Sequence, residues 1–279
     1  MIKTIENILK EGKIEEYQAE AKMLVLEVSG LNLEEILLGK KIENEEKIIE
    51  LAKKRVETKA PIQHILGFAR FMGEKYIVNQ NVLIPRDETE ILINKAYDLV
   101  KNIDSKIDIL DIGVGSGCIS CALAKKLKEK EIEILGVDVS LEALEVAIEN
   151  INKLDLVRKV ILRKSDVYSK VRDCEKFDLI VSNPPYIPLA EKENLQEEVK
   201  NFDPELALFA SDNDGVEFYE KIILGAPFFL KQNGFLAFEL GINQANLVKK
   251  MLEKKFKNIE IIKDLAGIER VITAQLKWF

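Results

Sequence analysis

From Lys106 onward the chain alternates short aliphatic runs with glycine-bearing turns and helical stretches, and few architectures can use that alternation. The candidate strands are Ile107 to Leu110, Ile132 to Val137, Val160 to Leu162, Phe177 to Val181, Gly234 to Glu239, Ile259 to Ile262 and Arg270 to Ala274. Strand and helix in turn demand a mostly parallel sheet covered on both faces. Too few residues separate the last two runs for a crossover helix, so these should pair antiparallel at one edge. The expectation is an α/β fold with seven strands. Its ligands should bind beyond the carboxyl ends of the strands, where the strand order reverses.

The first such strand runs into Asp111-Ile112-Gly113-Val114-Gly115-Ser116-Gly117, which opens a helix. Glycines let backbone approach a ligand where a Cβ would clash, and the helix behind them offers free N–H groups. A dinucleotide fingerprint would place its third glycine one position later, where Cys118 stands, so a pyrophosphate ligand fits poorly. The second strand ends at Asp138, an acid placed to accept both ribose hydroxyls of a bound nucleoside; Ser140 suits the competing task of capping the next helix. The third strand leads to Ser165-Asp166-Val167, with Asp166 available to an exocyclic amine and Val167 to a ring face.

The fourth strand stops at Asn183-Pro184-Pro185-Tyr186. Two prolines fix φ and remove two backbone donors, leaving carbonyls free beside an aromatic. Such an elbow suits acceptance of hydrogen bonds from an NH2 group. The segment resembles the catalytic motif of S-adenosylmethionine-dependent methyltransferases that modify planar nitrogens, and the seven-strand layout resembles class I methyltransferases. Over nearly the full length the chain resembles bacterial peptide chain release factor glutamine methyltransferases. That likeness rests on Pro61 to Gly67, Ile84 to Glu90, the glycine loop, Asn183 to Tyr186, Phe238-Glu239-Leu240-Gly241 and Asp264-Leu265-Ala266-Gly267. Departures are Asp87 where the family usually has Pro, Val114 where Thr is frequent, and Val167 where some members carry a bulky aromatic near the adenine.

The resemblance implies S-adenosylmethionine as methyl donor, with S-adenosylhomocysteine as product and no metal. The substrate it implies is the glutamine of the Gly-Gly-Gln tripeptide in class 1 release factors. It makes Asn183, Pro184, Pro185 and Tyr186 catalytic. The cofactor would contact Asp111, Gly113, Val114, Gly115, Ser116, Gly117, Asp138, Asp166, Val167 and Asn183. In this reading the Asn183 side-chain oxygen and the Pro184 carbonyl accept the amide hydrogens, Pro185 stiffens the elbow and Tyr186 packs on the amide plane. The single histidine, His64, has no part in it.

Residues 1–60 read as helices, with apolar faces Ile5, Ile8, Leu9, then Ala21, Leu24, Val25, Val28, then Ile42, Ile48, Ile49, Leu51, Ala52, Val56. This module should recognise the protein substrate. Residues 61–85 read as a linker with a short β-hairpin, and 86–279 as the methyltransferase domain, its first helix capped by Asp87 with Glu90 closing a capping box. A net charge of −7 disfavours phosphate backbones, and no apolar run is long enough to span a bilayer. The expectation is a cytoplasmic monomer that binds neither membrane nor nucleic acid directly. Competing readings are methylation of a glutamine in another protein or of a base amino group, a cofactor-binding scaffold without activity, and a redox role for Cys118-Ile119-Ser120-Cys121.

Overall fold

The computed structural model describes residues 1–277. It divides into two units, Met1–Phe68 and Ala69–Phe279. No helix among the described residues is long and apolar enough to cross a membrane.

The first unit is helical: α1 (Ile2–Glu11), α2 (Tyr17–Ser29), α3 (Leu33–Leu37), α4 (Glu45–Thr58) and α5 (Ile62–Leu66). Ile5, Leu9, Leu24, Val25, Ile48 and Ala52, at helical spacing in the sequence, meet in one core. Gly30, at φ +70°, ends α2 in the left-handed region that favours glycine. A bidentate pair sits within this unit: Arg55 Nε and Nη2 donate to the Glu20 carboxylate at 2.8 and 2.9 Å. Two sequence expectations shift here. Ile42 precedes α4 rather than lying on it, and the stretch read as the start of the linker, Ile62–Leu66, forms the helix α5. The reason is local. Pro61 presets the helical entry and Gly67, at φ +78°, supplies the left-handed exit, so five residues suffice for a short helix.

The second unit begins with the hairpin β1 (Phe68–Phe71) and β2 (Glu74–Ile77), which turns on Met72 and Gly73, both at positive φ. Helix α6 (Thr89–Val100) follows, and its start corrects the capping-box expectation. Glu88 is the capping residue, with no side-chain bond to the helix N–H groups, and Asp87 lies in the preceding turn. Glu90 accepts instead from the Met72 backbone N–H at 3.3 Å, tying the hairpin turn to the helix.

The remainder alternates β3 (Ile107–Ile112), α7 (Cys118–Lys126), β4 (Ile132–Asp138), α8 (Leu141–Lys153), β5 (Val160–Lys164) and β6 (Phe177–Ser182). A looping segment then carries β7 (Ile187–Pro188), a 3₁₀ turn (Leu189–Asn194), α9 (Glu197–Phe202), α10 (Glu205–Leu208) and β8 (Phe209–Ala210). It is followed by α11 (Glu217–Phe229), β9 (Leu230–Glu239), α12 (Ala245–Leu252), β10 (Phe256–Lys263) and β11 (Glu269–Leu276). The seven-stranded sheet has the order β10-β11-β9-β6-β3-β4-β5. Its strands are parallel except β11, which is antiparallel to both β9 and β10. This is the class I methyltransferase layout.

Period-two alternation sends Ile107, Ile109, Leu179, Val181 and Ala237 into one core and Leu110, Ile112, Ile180, Leu236 and Phe238 into the other. Each of the larger side chains, Val, Leu, Ile or Phe, contributes about 1.5–3 kcal/mol when fully buried. The strand order reverses between β3 and β6, whose pairing brings Ile112 level with Ser182. The segments leaving these two strands therefore emerge side by side.

Candidate active site

The glycine loop leaves β3 and is held open by its backbone. Gly113, Gly115 and Gly117 take φ of +75°, +52° and +80°, all left-handed, and Gly117 caps α7. The Gly113 and Val114 N–H groups both donate to the Val137 carbonyl, at 2.9 and 3.0 Å. The Val114 side chain packs inward against Leu144, Ala147 and Leu162, so its contribution to a ligand is through backbone. Ser116 is buried, and its carbonyl accepts from Asn150 Nδ2 at 2.9 Å. The same Asn150 amide exchanges bonds with the Ile77 N–H and carbonyl at 2.7 and 3.0 Å, tying loop, α8 and β2 together.

Asp111 is fully buried and takes a hydrogen bond from the Ser120 hydroxyl at 2.6 Å on one carboxylate oxygen. Its other oxygen, Oδ1, is buried and has no partner. Burial pushes this carboxyl up to about 7, with the charge of Asp138 adding to the rise and Ser120 opposing it. An orphaned acceptor at the root of a glycine loop fits a cationic ligand group. Asp138, at the end of β4, accepts from the Gly115 N–H and the Ser140 N–H, each at 2.9 Å, and burial raises its carboxyl as well. Each oxygen keeps a second lone pair for a ribose hydroxyl. Ser140 does the capping, its hydroxyl accepting from the Ala143 N–H at 3.0 Å.

Beyond β5, Ser165 is tethered to the Asp138 carbonyl by its N–H at 2.8 Å. Asp166 is exposed, its N–H donating to Ser169. Val167 stands at φ +47°, a costly conformation for a β-branched residue. The Ser165 hydroxyl braces it by donating to the Val167 carbonyl at 2.9 Å and accepting from the Lys170 N–H at 3.0 Å. Strain held this way keeps Val167 half-exposed at the rim.

The Asn-Pro-Pro-Tyr elbow leaves β6 beside this loop. A Cβ on Gly113 would lie 3.9 Å from the Asn183 carbonyl oxygen, so motifs seventy residues apart converge. Asn183 and Pro185 are half-exposed and Pro184 is buried, with no hydrogen bond from the described residues reaching the Pro184 carbonyl. The Tyr186 ring packs on the core beside Gly241, and burial raises its hydroxyl far above the ordinary value. Its carbonyl accepts from Gln244 Nε2 at 2.8 Å, and the same nitrogen reaches the Asp214 and Gly215 carbonyls at 2.9 and 3.2 Å. Gly215 has to be glycine here, because a Cβ would stand 2.1 Å from the Tyr186 oxygen.

Sequence reasoning gave no role to the residue behind Asn183. Glu239 ends β9, beside β6, and is buried. It accepts from the Thr89 hydroxyl at 2.6 Å, and the register of β6 and β9 sets it beside Asn183. Burial raises its carboxyl to about 7. The signal was present in Phe238 to Gly241 and Thr89, both quoted for family likeness. Their meaning needed the fold, which sets Glu239 and Thr89 in contact across 150 residues.

Cys118 and Cys121 are buried and burial pushes both thiols up to about 12, which leaves no reactive thiolate for the redox reading.

Comparison with known proteins bears on this site. A family described as methyltransferase small domain matches residues 89–201. The chain is 42% identical over 238 residues to a release factor glutamine methyltransferase of Fusobacterium nucleatum, covering 84% of this chain but only 65% of that relative. It is 34% identical over 281 residues to one of Chlorobaculum tepidum, covering 97% of this chain and 94% of the relative. The crystal structure of a methyltransferase from Pyrococcus furiosus superposes with a TM-score of 0.51 at 19% identity, covering 74% of this chain and 90% of the other, a likeness of fold.

Proposed function

The chain belongs to the release factor glutamine methyltransferase family, and from that premise we propose that it methylates the side-chain nitrogen of the glutamine in the Gly-Gly-Gln motif of class 1 release factors. The observation that carries this reading is the convergence of Gly113 on Asn183 at the switch point between β3 and β6.

S-adenosylmethionine, when bound, supplies an electrophilic methyl group on a sulfonium sulfur. The residues present fit it. The orphaned Asp111 Oδ1 offers an acceptor for the methionyl ammonium, the loop from Gly113 to Gly117 offers open backbone, and Asp138 offers oxygens for the ribose. Asp166 and Val167 flank the place for the base.

An amide nitrogen is a weak nucleophile because its lone pair is delocalised into its carbonyl. The elbow compensates by position and charge. Asn183 Oδ1 and the free Pro184 carbonyl accept the two amide hydrogens, hold the nitrogen in line and stabilise the positive charge it acquires. Pro185 keeps these acceptors from swinging away, and Gln244 fixes the backbone at Tyr186. No general base is required of the chain; the amide proton leaves to solvent after transfer. The helical unit is assigned to recognition of the release factor, the enzyme acting as a cytoplasmic monomer.

The test is transfer of tritiated methyl from S-adenosylmethionine to recombinant release factor and to its Gly-Gly-Ala variant. Label on the first and none on the second is the expected result. Equal labelling moves the target to another residue, and label on nucleic acid alone replaces the reading with base methylation.

A further inference from the structure

A primary amide has two ends of nearly the same shape and opposite hydrogen-bonding character. The chemistry above works only if Asn183 turns its oxygen toward the substrate, since its NH2 end would meet the substrate's own NH2. Something in the protein must choose. Strand pairing decides what stands behind Asn183: Ser182 on β6 is level with Phe238 on β9, so the next residues, Asn183 and Glu239, are neighbours. Glu239 is buried, its Oε2 accepts from the Thr89 hydroxyl at 2.6 Å, and the Asn183 side chain beside it favours its charged form. A carboxylate can only accept. The only end of the Asn183 amide that can serve it is the NH2, which would leave Oδ1 to face away.

We propose that Glu239 is a positioning residue that sets the polarity of the Asn183 side chain, taking its NH2 end so that Oδ1 is presented to the substrate amide. This rests on the role of Asn183 proposed above and adds a residue that acts through it. Thr89 completes the device. Its hydroxyl donates to Glu239 and so occupies the carboxylate from α6, while the Tyr219 hydroxyl holds the Glu239 backbone carbonyl at 2.9 Å. The negative charge of Glu239 also polarises the Asn183 amide, making Oδ1 a stronger acceptor for hydrogens that become acidic during transfer.

A protonated Glu239 is a different neighbour. A carboxylic acid can donate to Oδ1, and the reversed amide then becomes competent inside the protein and wrong for the substrate. Burial brings this protonation to about pH 7. The charged and titratable groups facing Glu239 are Glu88 at the start of α6, which favours the protonated form, Arg270 on β11, which opposes it, Tyr186 on the elbow, Tyr219 on α11 and Cys118 on α7. The carboxyl is raised, so the correct orientation holds above about pH 7 and is lost as pH falls through that value.

Two measurements test this. In the protein without ligand, the Asn183 side-chain NH2 resonances in ¹H–¹⁵N spectra should shift between pH 5.5 and 8.5 with a midpoint near 7, and Glu239→Gln should abolish the titration. In methyl transfer to release factor, E239Q should lower kcat about 10-fold and flatten its acid limb, with KM for release factor and Kd for S-adenosylmethionine within about twofold of wild type. Thr89→Val should give a smaller loss of the same kind. Wild-type Asn183 resonances that ignore pH, or an E239Q enzyme with unchanged kcat, would overturn the assignment while leaving the methyltransferase reading intact. Wild-type protein that labels no release factor would overturn both. The resonance titration uses wild-type protein, so a poorly folding variant does not shield the idea.

Discussion

β3 carries Asp108 near its start and Asp111 near its end, and the two aspartates live under opposite rules. At the amino end of β3 and β6, Lys231 donates to Asp108 and to Asp178, both at 2.7 Å, and Glu175, just ahead of β6, accepts from Arg163 of β5 at 2.7 and 2.8 Å. Arg163 holds the Glu175 carboxyl down at about 2. At the carboxyl end, Asp111, Asp138 and Glu239 are held by hydroxyl and backbone N–H donors, and burial raises all three. Same strands, same residue types. The difference teaches where this protein spends electrostatics on stability and where it accepts a loss of stability so that charges stay available to ligands.

The sharpest way to break that contrast is at the end of β6. Asn183→Ala should lower turnover by about two to three orders of magnitude with cofactor affinity unchanged, read by single-turnover transfer and calorimetry. An unaltered single-turnover rate would remove Asn183 from the chemistry. Next, Asp138→Ala should weaken S-adenosylmethionine about 100-fold, the loss of two hydrogen bonds to a charged acceptor, without lowering the melting temperature. Asp111→Asn should weaken the cofactor too, yet stabilise the empty protein at pH 8 by about 1–3 kcal/mol. The sign follows from a folded carboxyl raised above its unfolded value: its ionisation costs stability as pH rises through about 7, so the gain should shrink at pH 5.5 in urea titrations. A gain independent of pH would show that charge is not the cause.

The amino end should answer in the reverse sense. Lys231→Met leaves Asp108 and Asp178 facing each other and should cost about 1–2 kcal/mol of stability while leaving kcat within twofold. Smallest of all, Glu175→Gln should cost less than about 1 kcal/mol at neutral pH, because its pair is partly solvated. Its carboxyl is depressed, so that contribution is present above the unfolded value near 4 and vanishes as pH falls toward about 2; acid titration of wild type against variant reads it.

The strands, the antiparallel edge and the glycine loop were legible because each is announced by neighbours within a few residues: aliphatic runs, a short gap before Arg270, glycines at left-handed positions. Asn183 was legible for the same reason, since two prolines following a buried run leave little else to build. Glu239, Thr89, Asn150 and Gln244 were not. Each is an ordinary polar residue locally and gains its meaning from a partner 29 to 150 positions away. The start of α6 misled for a related reason. Asp87 and Glu90 have capping-box spacing, but Glu90 finds a better donor in the hairpin at Met72. Residues 189–208 gave no periodicity to read, and the structure builds them from pieces of four to six residues.

Asn150 carries a consequence of its own. One side-chain amide serves the N–H and carbonyl of Ile77 and the carbonyl of Ser116 in the glycine loop, so the hairpin works as a tuning peg for that loop. Evolution, or an engineer, can slacken or tighten the glycine loop from residues 74–77, which lie outside it. Aspartate at 150 would set oxygen against the Ser116 oxygen and snap that string.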